Sequence, residues 1–326
     1  MIISRPPLRM SFVGGGSDLP DFYRLHGGAV ISTAIDKYIY VNVNKKFDDG
    51  IRIAYSKTEE VTSVDQVEHR LVRAAMKYLH LEGGIEITTI ADIPSRGTGL
   101  GSSSSFTVGL LHALHAFKGQ YVSRERLGSD SCHIEIEICG EPIGKQDQYA
   151  AAFGGLNLIE FKPDDSVIVS PIICNRATVA ELQANILVFY TGMTRSASAL
   201  LRQQLKETVS GEKHRSALKR MVELAYVLRE ELHKNNLASF GEILHENWML
   251  KKGITSGIST GHIDQWYEAA RSAGAVGGKI LGAGAGGFLM LYASQESHDA
   301  IKSALHMLRP VRMGFEPLGS RIIFYH

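Results

Sequence analysis

The stretch PSRGTGLGSSSSF, Pro94 to Phe106, places three glycines and four consecutive serines between two regular segments. The preceding IEITTIADI alternates like a strand, and the following TVGLLHALHAF has the apolar content of a buried helix. In a strand, glycine loop and helix, the unpaired N–H groups at the helix start point to one spot, which attracts phosphate. The structural alternative is a helix-capping turn, because serines also cap helices without any ligand.

The loop departs from two common phosphate-binding patterns. The pattern G-x-x-x-x-G-K-[ST] requires a lysine, and none occurs between Pro94 and Phe117. The dinucleotide pattern G-x-G-x-x-G fails as well, because after Gly97 and Gly99 the next glycine is Gly101. A nicotinamide-dependent oxidoreductase is therefore disfavoured.

Composition indicates a packed globular protein of about two lobes. The 326 residues are 44% hydrophobic and 21% charged, and 35 basic residues stand against 34 acidic ones. This balance predicts no nucleic-acid partner and no anionic-membrane partner. No apolar stretch approaches the roughly 18 residues of a membrane span, so we expect a cytoplasmic protein. The three cysteines lack zinc-site spacing.

The periodicity predicts an α+β protein divided near residue 180, with domains 1–180 and 181–326. From residue 1 to about 93 the first domain is expected to contain mainly strands, interrupted by one helix that begins at Val64 and is ended by Gly83 and Gly84. The second begins with the strand ANILVFYTGM and continues with amphipathic helices over 196–209, 212–235, 237–251 and from 261. Its end is expected to be βαβ-like, with a helix over 296–308 and a final strand, RIIFYH.

Three motifs in order carry a resemblance to a known family. The glycine-serine loop resembles the P-x-x-x-G-L-G-S-S motif of the GHMP kinases, the family of galactokinase, homoserine kinase, mevalonate kinase and phosphomevalonate kinase. The N-terminal RPPLRMSFVGGGSD (residues 5–18) and the C-terminal GGKILGAGAGGF (residues 277–288) match the other two motifs. The resemblance covers nearly the whole chain. It implies a ribosomal-protein S5 domain 2-like N-terminal lobe, a ferredoxin-like C-terminal lobe and a nucleotide between them.

The resemblance also implies roles for individual residues. Asp147 is expected to act as the base, and Glu135, twelve residues earlier, is expected to bind Mg²⁺ with Ser103. Glu137 competes with Glu135 for this role, because the helix phase is open from sequence. The residues expected to bind ATP are Pro94, Arg96, Gly97, Gly99, Leu100, Gly101, Ser102, Ser103 and Ser104.

The acceptor site resembles that of one branch of the family, the D-glycero-D-manno-heptose 7-phosphate kinases, which phosphorylate the anomeric hydroxyl to give the 1,7-bisphosphate. A sugar phosphate brings about two negative charges, which require basic residues beyond those that bind ATP. The residues expected to bind the acceptor are Arg9, Gly15, Gly16, Ser17, Asp18, Arg24, Lys145, Asp147, Arg195 and Gly284.

Two alternatives stay open at this point. The first is a kinase of an unphosphorylated sugar, similar to fucokinase or galactokinase; the glycines between Arg9 and Asp18, where galactokinases have glutamate and histidine, weaken an assignment to galactose. The second is a non-catalytic sugar sensor, which would be expected to lack Asp147 or the Mg²⁺ ligands. The sequence also leaves a homodimer open.

Overall fold

The computed structural model describes residues 1–93, 98–193, 211–254, 257–282, 284 and 286–326. Several predictions fall outside these described residues. They are the helix over 196–209, the ATP-binding roles of Pro94, Arg96 and Gly97, and the acceptor-binding role of Arg195.

The first sheet is organised by one long strand, β3 (Gly28–Lys45). Its first half pairs antiparallel with β2 (Pro7–Val13) and β7 (Leu156–Phe161), and its second half pairs with β1 (Ile2–Arg5) and β6 (Ile85–Ala91). A strand of this length thus joins two sets of neighbours through one continuous backbone. The remaining strands on this side are β4 (Ile51–Ala54), β5 (Thr58–Val61) and β8 (Val167–Pro171).

Helices of this part pack on the sheet and on one another. The apolar helix α3 (Ser102–Phe117) packs against β3 and is buried along most of its length, as the run of leucines and alanines in its sequence predicts. A π-helical turn, His133–Ile138, follows α4 directly. The other helices are α1 (Pro20–His26), α2 (Arg70–Tyr78), α4 (Arg124–Cys132), α5 (Gln146–Phe153) and α6 (Arg176–Ala184).

The helix predicted from Val64 to the glycines at 83 and 84 is shorter than expected at both ends. Only a 3₁₀ turn forms at Val64–Gln66, and α2 begins at Arg70. The buried Glu59 carboxylate accepts the backbone N–H groups of Glu68 (2.6 Å) and His69 (3.1 Å). Since these donors are bound to a side chain from β5, the helix starts after them, although the apolar periodicity begins earlier.

The second sheet has the order β10 (Gly277–Ile280), β11 (Phe288–Tyr292), β9 (Ile186–Tyr190), β12 (Arg309–Pro310). Its adjacent strands are antiparallel. A separate apolar cluster that includes Trp248, Tyr267 and Leu289 packs against it. The helices of this part are α7 (Glu212–His233), α8 (Phe240–Ile254), α9 (Gly261–Ser272) and α10 (His298–Ala304).

The βαβ-like ending was a wrong prediction. The last strand, β13 (Arg321–Tyr325), pairs antiparallel with β1 in the first sheet. The second sheet ends instead with the two-residue β12, after which the Val311 N–H still donates to the Val188 carbonyl of β9 at 2.8 Å. The arrangement of mixed sheets and helices confirms the predicted α+β class, and the division at residue 180 stays a prediction. Within the described ranges, no helix is long and apolar enough to cross a membrane.

Candidate active site

The start of α3 is a candidate anion-binding position. Gly101 precedes the helix in a left-handed conformation (φ 74°), and no side chain caps the first turn. By contrast, Ser123 caps α4 and Asn175 caps α6 through side-chain oxygens. The structure therefore does not show the helix-capping turn that was the alternative for the glycine-serine loop, because no serine caps α3. Its uncapped N–H groups, at the positive end of the helix dipole, favour a phosphate.

The central and C-terminal glycine motifs touch through their backbones. A Cβ placed on Gly282 would lie 2.3 Å from Gly99 Cα, and one placed on Gly99 would lie 2.2 Å from the Leu281 carbonyl oxygen. Both glycines have positive φ, 76° and 73°. Only glycine permits this approach. The two loops therefore form one continuous surface beside the start of α3.

Arg9 holds Asp147 in a bidentate pair. Its Nε donates to Oδ1 and its Nη2 to Oδ2, both at 2.8 Å, and its Nη1 donates to the Gly99 carbonyl at 2.6 Å. The guanidinium is buried and Asp147 is partly exposed. Such fork-to-carboxylate pairing fixes direction as well as distance. The sequence predicts that Arg9 binds the acceptor. In the structure its guanidinium bonds Asp147, the predicted base, and Gly99 of the predicted nucleotide loop.

Asp18 lies in the Gly14–Asp18 turn next to Asp147. Its Oδ1 accepts from the Gly16 N–H (2.9 Å) and from Gln146 Nε2 (3.2 Å). Burial, and then the negative charge of Asp147, raise the pKa of Asp18. The predicted residue Ser17 is fully buried and exchanges hydrogen bonds with the Ala29 backbone, so it supports the turn.

Glu135, on the π-helical turn, faces the first turn of α3. Its Oε1 accepts from Ser103 Oγ at 3.1 Å and its Oε2 from Gln148 Nε2 at 2.6 Å. Burial raises the pKa of Glu135 to about 7. Glu137 points away, is largely exposed and pairs with His133. The structure therefore brings Glu135, and not Glu137, to Ser103.

The pair Ser103–Glu135 fits part of a Mg²⁺ site. Magnesium is usually held by one or two carboxylates together with substrate phosphates, so a full protein ligand set is not required. The buried carboxylate of Glu135 has only neutral hydrogen-bond donors as partners in the described part of the chain. No group of three or more His, Cys, Asp or Glu side chains suited to a metal occurs among those residues.

Lys145 and Arg24 meet at the edge of the site, on one carboxylate. Lys145 Nζ donates to the Asp165 carbonyl (3.0 Å) and Oδ1 (3.2 Å), and Arg24 Nε donates to both Asp165 carboxylate oxygens at 3.2 Å. The hydrogen bond from Tyr23 is the main cause that lowers the pKa of Asp165 to about 2. Two cations share one carboxylate, which leaves one net positive charge. The Lys145 N–H also bonds the Asp18 carbonyl at 3.4 Å, which places this edge beside the acceptor turn.

Sequence reasoning missed several residues that surround the same turn. Lys251 of α8 is buried and donates to the Gly282 carbonyl at 2.8 Å, and burial lowers its pKa to about 8. Asn247, one helical turn earlier, accepts the Gly14 N–H at 3.1 Å. Lys279 of β10 is also buried and donates to the Phe12 carbonyl. The signal was the phase of α8, because Asn247 and Lys251 fall on the apolar stripe that includes Leu244.

The chain is similar to known proteins over most of its length. The chain matches the family model for the GHMP kinases N terminal domain over residues 69–155 and that for the GHMP kinases C terminal over residues 228–308, together more than half of the chain. It is 29% identical over 306 residues to D-glycero-alpha-D-manno-heptose 7-phosphate kinase of Campylobacter jejuni, with 89% of each chain covered.

Two further relatives extend the comparison. The chain is 26% identical over 311 residues to the bifunctional fucokinase/GDP-fucose pyrophosphorylase of Arabidopsis thaliana, with 88% of this chain and 29% of that protein covered. A crystal structure of a D-glycero-D-manno-heptose 1-phosphate kinase from Bacteroides thetaiotaomicron superposes with a TM-score of 0.82 at 26% identity, over 100% of both chains. The predicted two-lobed fold and ATP-dependent kinase are thereby confirmed, and the chain belongs to the GHMP kinase family.

Proposed function

We propose that this protein is a sugar kinase that transfers the γ-phosphoryl group of ATP to the anomeric hydroxyl of D-glycero-D-manno-heptose 7-phosphate. The observation that carries the proposal is the position of Asp147. Arg9 orients its carboxylate between the glycine loop at α3 and the Asp18 turn, where a donor phosphate and an acceptor hydroxyl can meet. The heptose-phosphate kinase relatives support the sugar class.

The residues at the site account for the parts of phosphoryl transfer. The uncapped start of α3 binds the phosphates of ATP, and Ser103 with Glu135 would hold Mg²⁺, which offsets phosphate charge when bound. Asp147 accepts the proton of the acceptor hydroxyl. The bond from that oxygen to the γ-phosphorus forms as the bond from phosphorus to the bridging oxygen of ADP breaks, and ADP leaves. Arg9 fixes the orientation of the Asp147 carboxylate through bonds to both of its oxygens, so that a remaining lone pair can accept the proton.

Charge placement favours an acceptor that carries its phosphate far from the reacting hydroxyl. A phosphate close to the reacting hydroxyl would meet the carboxylates of Asp18 and Asp147, which repel it. The net positive charge of Lys145 and Arg24 lies at the edge of the site instead. In heptose 7-phosphate the anomeric hydroxyl and the phosphate are at opposite ends of the sugar chain, so both groups meet favourable charge.

The second candidate is the kinase of an unphosphorylated sugar such as fucose. The fucokinase relative and the limited charge of the edge, two cations on one carboxylate, favour it. A coupled ADP-release assay with Mg·ATP separates the candidates over heptose 7-phosphate, heptose 1-phosphate, sedoheptulose 7-phosphate, galactose, fucose and mevalonate.

We expect turnover with heptose 7-phosphate and a 1,7-bisphosphate product identified by phosphorus NMR. Turnover with fucose or galactose alone would replace the heptose proposal with the second candidate. A product phosphorylated at another position would reject transfer to the anomeric hydroxyl. Thermal stabilisation by Mg·ATP without turnover on any acceptor would reject both candidates and favour a sensor.

A further inference from the structure

Polar side chains surround the Gly14–Asp18 turn. They come from strand β2 and helix α5 in the first part of the chain and from helix α8 in the second. A Cβ placed on Gly15 would lie 3.7 Å from each of three polar atoms: Ser11 Oγ of β2, Gln146 Nε2 of α5 and Lys251 Nζ of α8. Asn247, on the same face of α8 as Lys251, reaches the turn through the Gly14 N–H. Residues distant in sequence therefore converge on one small region beside Asp18.

Three buried polar atoms of this group have no hydrogen-bond partner among the described residues. They are Ser11 Oγ, Gln146 Oε1 and Asn247 Nδ2. Asn247 is fully buried, and its bond from Gly14 N–H fixes the amide so that Nδ2 is the end left unpaired. Leaving buried polar groups unpaired is costly, and native proteins rarely do so without a reason. Several such atoms around one turn point to a ligand that pairs with them.

The chemistry of the group identifies the kind of ligand. Among the described residues, Lys251 Nζ makes one hydrogen bond, to Gly282, and keeps further N–H groups to donate, as do Ser11 and Asn247. Gln146 Oε1 accepts, and the Asp18 carboxylate lies beside it. A phosphate only accepts and would be repelled by Asp18, whereas a hydroxyl both donates and accepts. The group therefore fits the hydroxyls of a neutral polyol.

We propose that Ser11, Gln146, Asn247 and Lys251 bind the hydroxyl groups of the acceptor, and that Lys251 is the residue through which the C-terminal lobe selects it. The proposal rests on the proposed sugar kinase function, and it locates the part of the site that recognises the sugar ring. None of these four residues belongs to the glycine-serine loop or to the Ser103–Glu135 pair. Their loss is therefore expected to affect the acceptor and to leave ATP binding intact.

The test compares Lys251→Met with Lys252→Met. Lys252 is the next residue of α8, but it pairs with Asp264 outside the site, which makes it a matched control. With the sugar that the wild-type protein phosphorylates, we expect Lys251→Met to raise the acceptor KM at least tenfold and to change the ATP KM less than twofold. Ser11→Ala, a small change on a strand, is expected to raise the acceptor KM severalfold.

Deoxy analogues of the same sugar test hydroxyl recognition directly. We expect at least one ring-deoxy analogue to bind the wild-type protein tenfold or more weakly in calorimetric titration. The same analogue and its parent sugar should bind Lys251→Met with nearly equal affinity. This ligand-by-residue cycle isolates one pairing from general effects of the substitution on folding.

The outcomes distinguish this inference from the proposed substrate. Turnover of fucose in place of heptose 7-phosphate, with the Lys251→Met and deoxy effects intact, would support the hydroxyl site and reject the heptose proposal. An unchanged acceptor KM in both Lys251→Met and Ser11→Ala would overturn the inference. So would a rise confined to the ATP KM, because Lys251 would then serve the Gly282 loop. Turnover of mevalonate alone, or no titration signal with any sugar, would overturn both.

Discussion

Replacing Gly282 by alanine should separate the two glycine loops that touch beside α3. The added Cβ would lie 2.3 Å from Gly99 Cα, about 1 Å short of the 3.4 Å at which ordinary contact begins, and its neighbours are backbone atoms that cannot rotate away. Gly119 supplies a matched control. Its φ of 68° is close to the 76° of Gly282, but a Cβ there meets nothing within 4 Å.

The two substitutions share one cost and differ in another. A non-glycine residue in the left-handed region costs about 1–2 kcal/mol, so Gly119→Ala should lower the free energy of unfolding by this amount. Gly282→Ala adds a steric term of about 1–3 kcal/mol, typical of overpacked sites. A shift of about 1 Å between groups that position a substrate can cost roughly 10²-fold in rate, and the Gly99 loop is such a group.

Urea unfolding and steady-state kinetics with Mg·ATP measure both effects. We expect the free energy of unfolding of Gly282→Ala to fall about 1–3 kcal/mol further than that of Gly119→Ala, and kcat/KM for ATP to fall roughly 100-fold only in Gly282→Ala. Equal losses of stability with wild-type kinetics in both variants would refute the contact between the loops. A kinetic loss in Gly119→Ala as well would show that the left-handed strain alone is responsible.

Three further predictions concern the acceptor side of the site. Asp147→Asn should lower initial rates about 10²–10⁴-fold, while Mg·ATP should still stabilise the protein thermally. Glu137→Gln, a change at an exposed carboxylate, is the control and should behave as wild type. If Asp147→Asn kept a tenth of the wild-type activity, the role of Asp147 would be contradicted. Gly144→Ala puts a Cβ 1.9 Å from Asp18 Oδ2, so steady-state assays should show a raised acceptor KM and an unchanged ATP KM; the reverse pattern would place Asp18 elsewhere in the reaction. Because burial lowers the pKa of Lys251 to about 8, its charge is present below this pH and is lost above it, so the acceptor KM should rise above pH 8. Lys251→Arg stays charged over this pH range, so its acceptor KM should not rise above pH 8. If its acceptor KM rose with pH as steeply as that of the wild type, the pH dependence would belong to another group. The charged groups around Lys251 are Asp18, Asp147, Arg9 and Lys279.

The parts of the site that are local in sequence could be predicted. The strand, glycine loop and helix around Gly101 are consecutive, so the uncapped start of α3 follows from a single stretch of chain. The spacing from Glu135 to Asp147 could be counted in the sequence. The sequence could not decide whether Glu135 or Glu137 faces Ser103. A π-helical turn changes the angle between successive residues there, and an assumed α-helical phase gives no firm answer.

What the sequence alone did not reveal depends on contacts between distant segments. The helix phase places Lys251 on the apolar stripe of α8, but the sequence does not show what Lys251 bonds, because its partner is a backbone carbonyl 31 residues away. The start of α2 is set by Glu59, a side chain from a strand outside the helix. The pairing of β13 with β1 joins the two ends of the chain, and no periodicity within either strand carries that information.

Arg9 joins the N-terminal motif to the glycine-serine loop and to Asp147. Its backbone N–H donates to the Leu100 carbonyl, its guanidinium to the Gly99 carbonyl and to Asp147, and its strand leads into the Gly14–Asp18 turn. A single buried side chain thus fixes the distance between the Gly99 loop and Asp147, the predicted base. The guanidinium of Arg9 is a fixed cation that takes the place of water beside Asp147. Little reorganisation of the surroundings of Asp147 is therefore needed when the acceptor proton moves. The arginine of the N-terminal motif is therefore better understood as the support of the reacting centre than as a ligand of the acceptor's own phosphate.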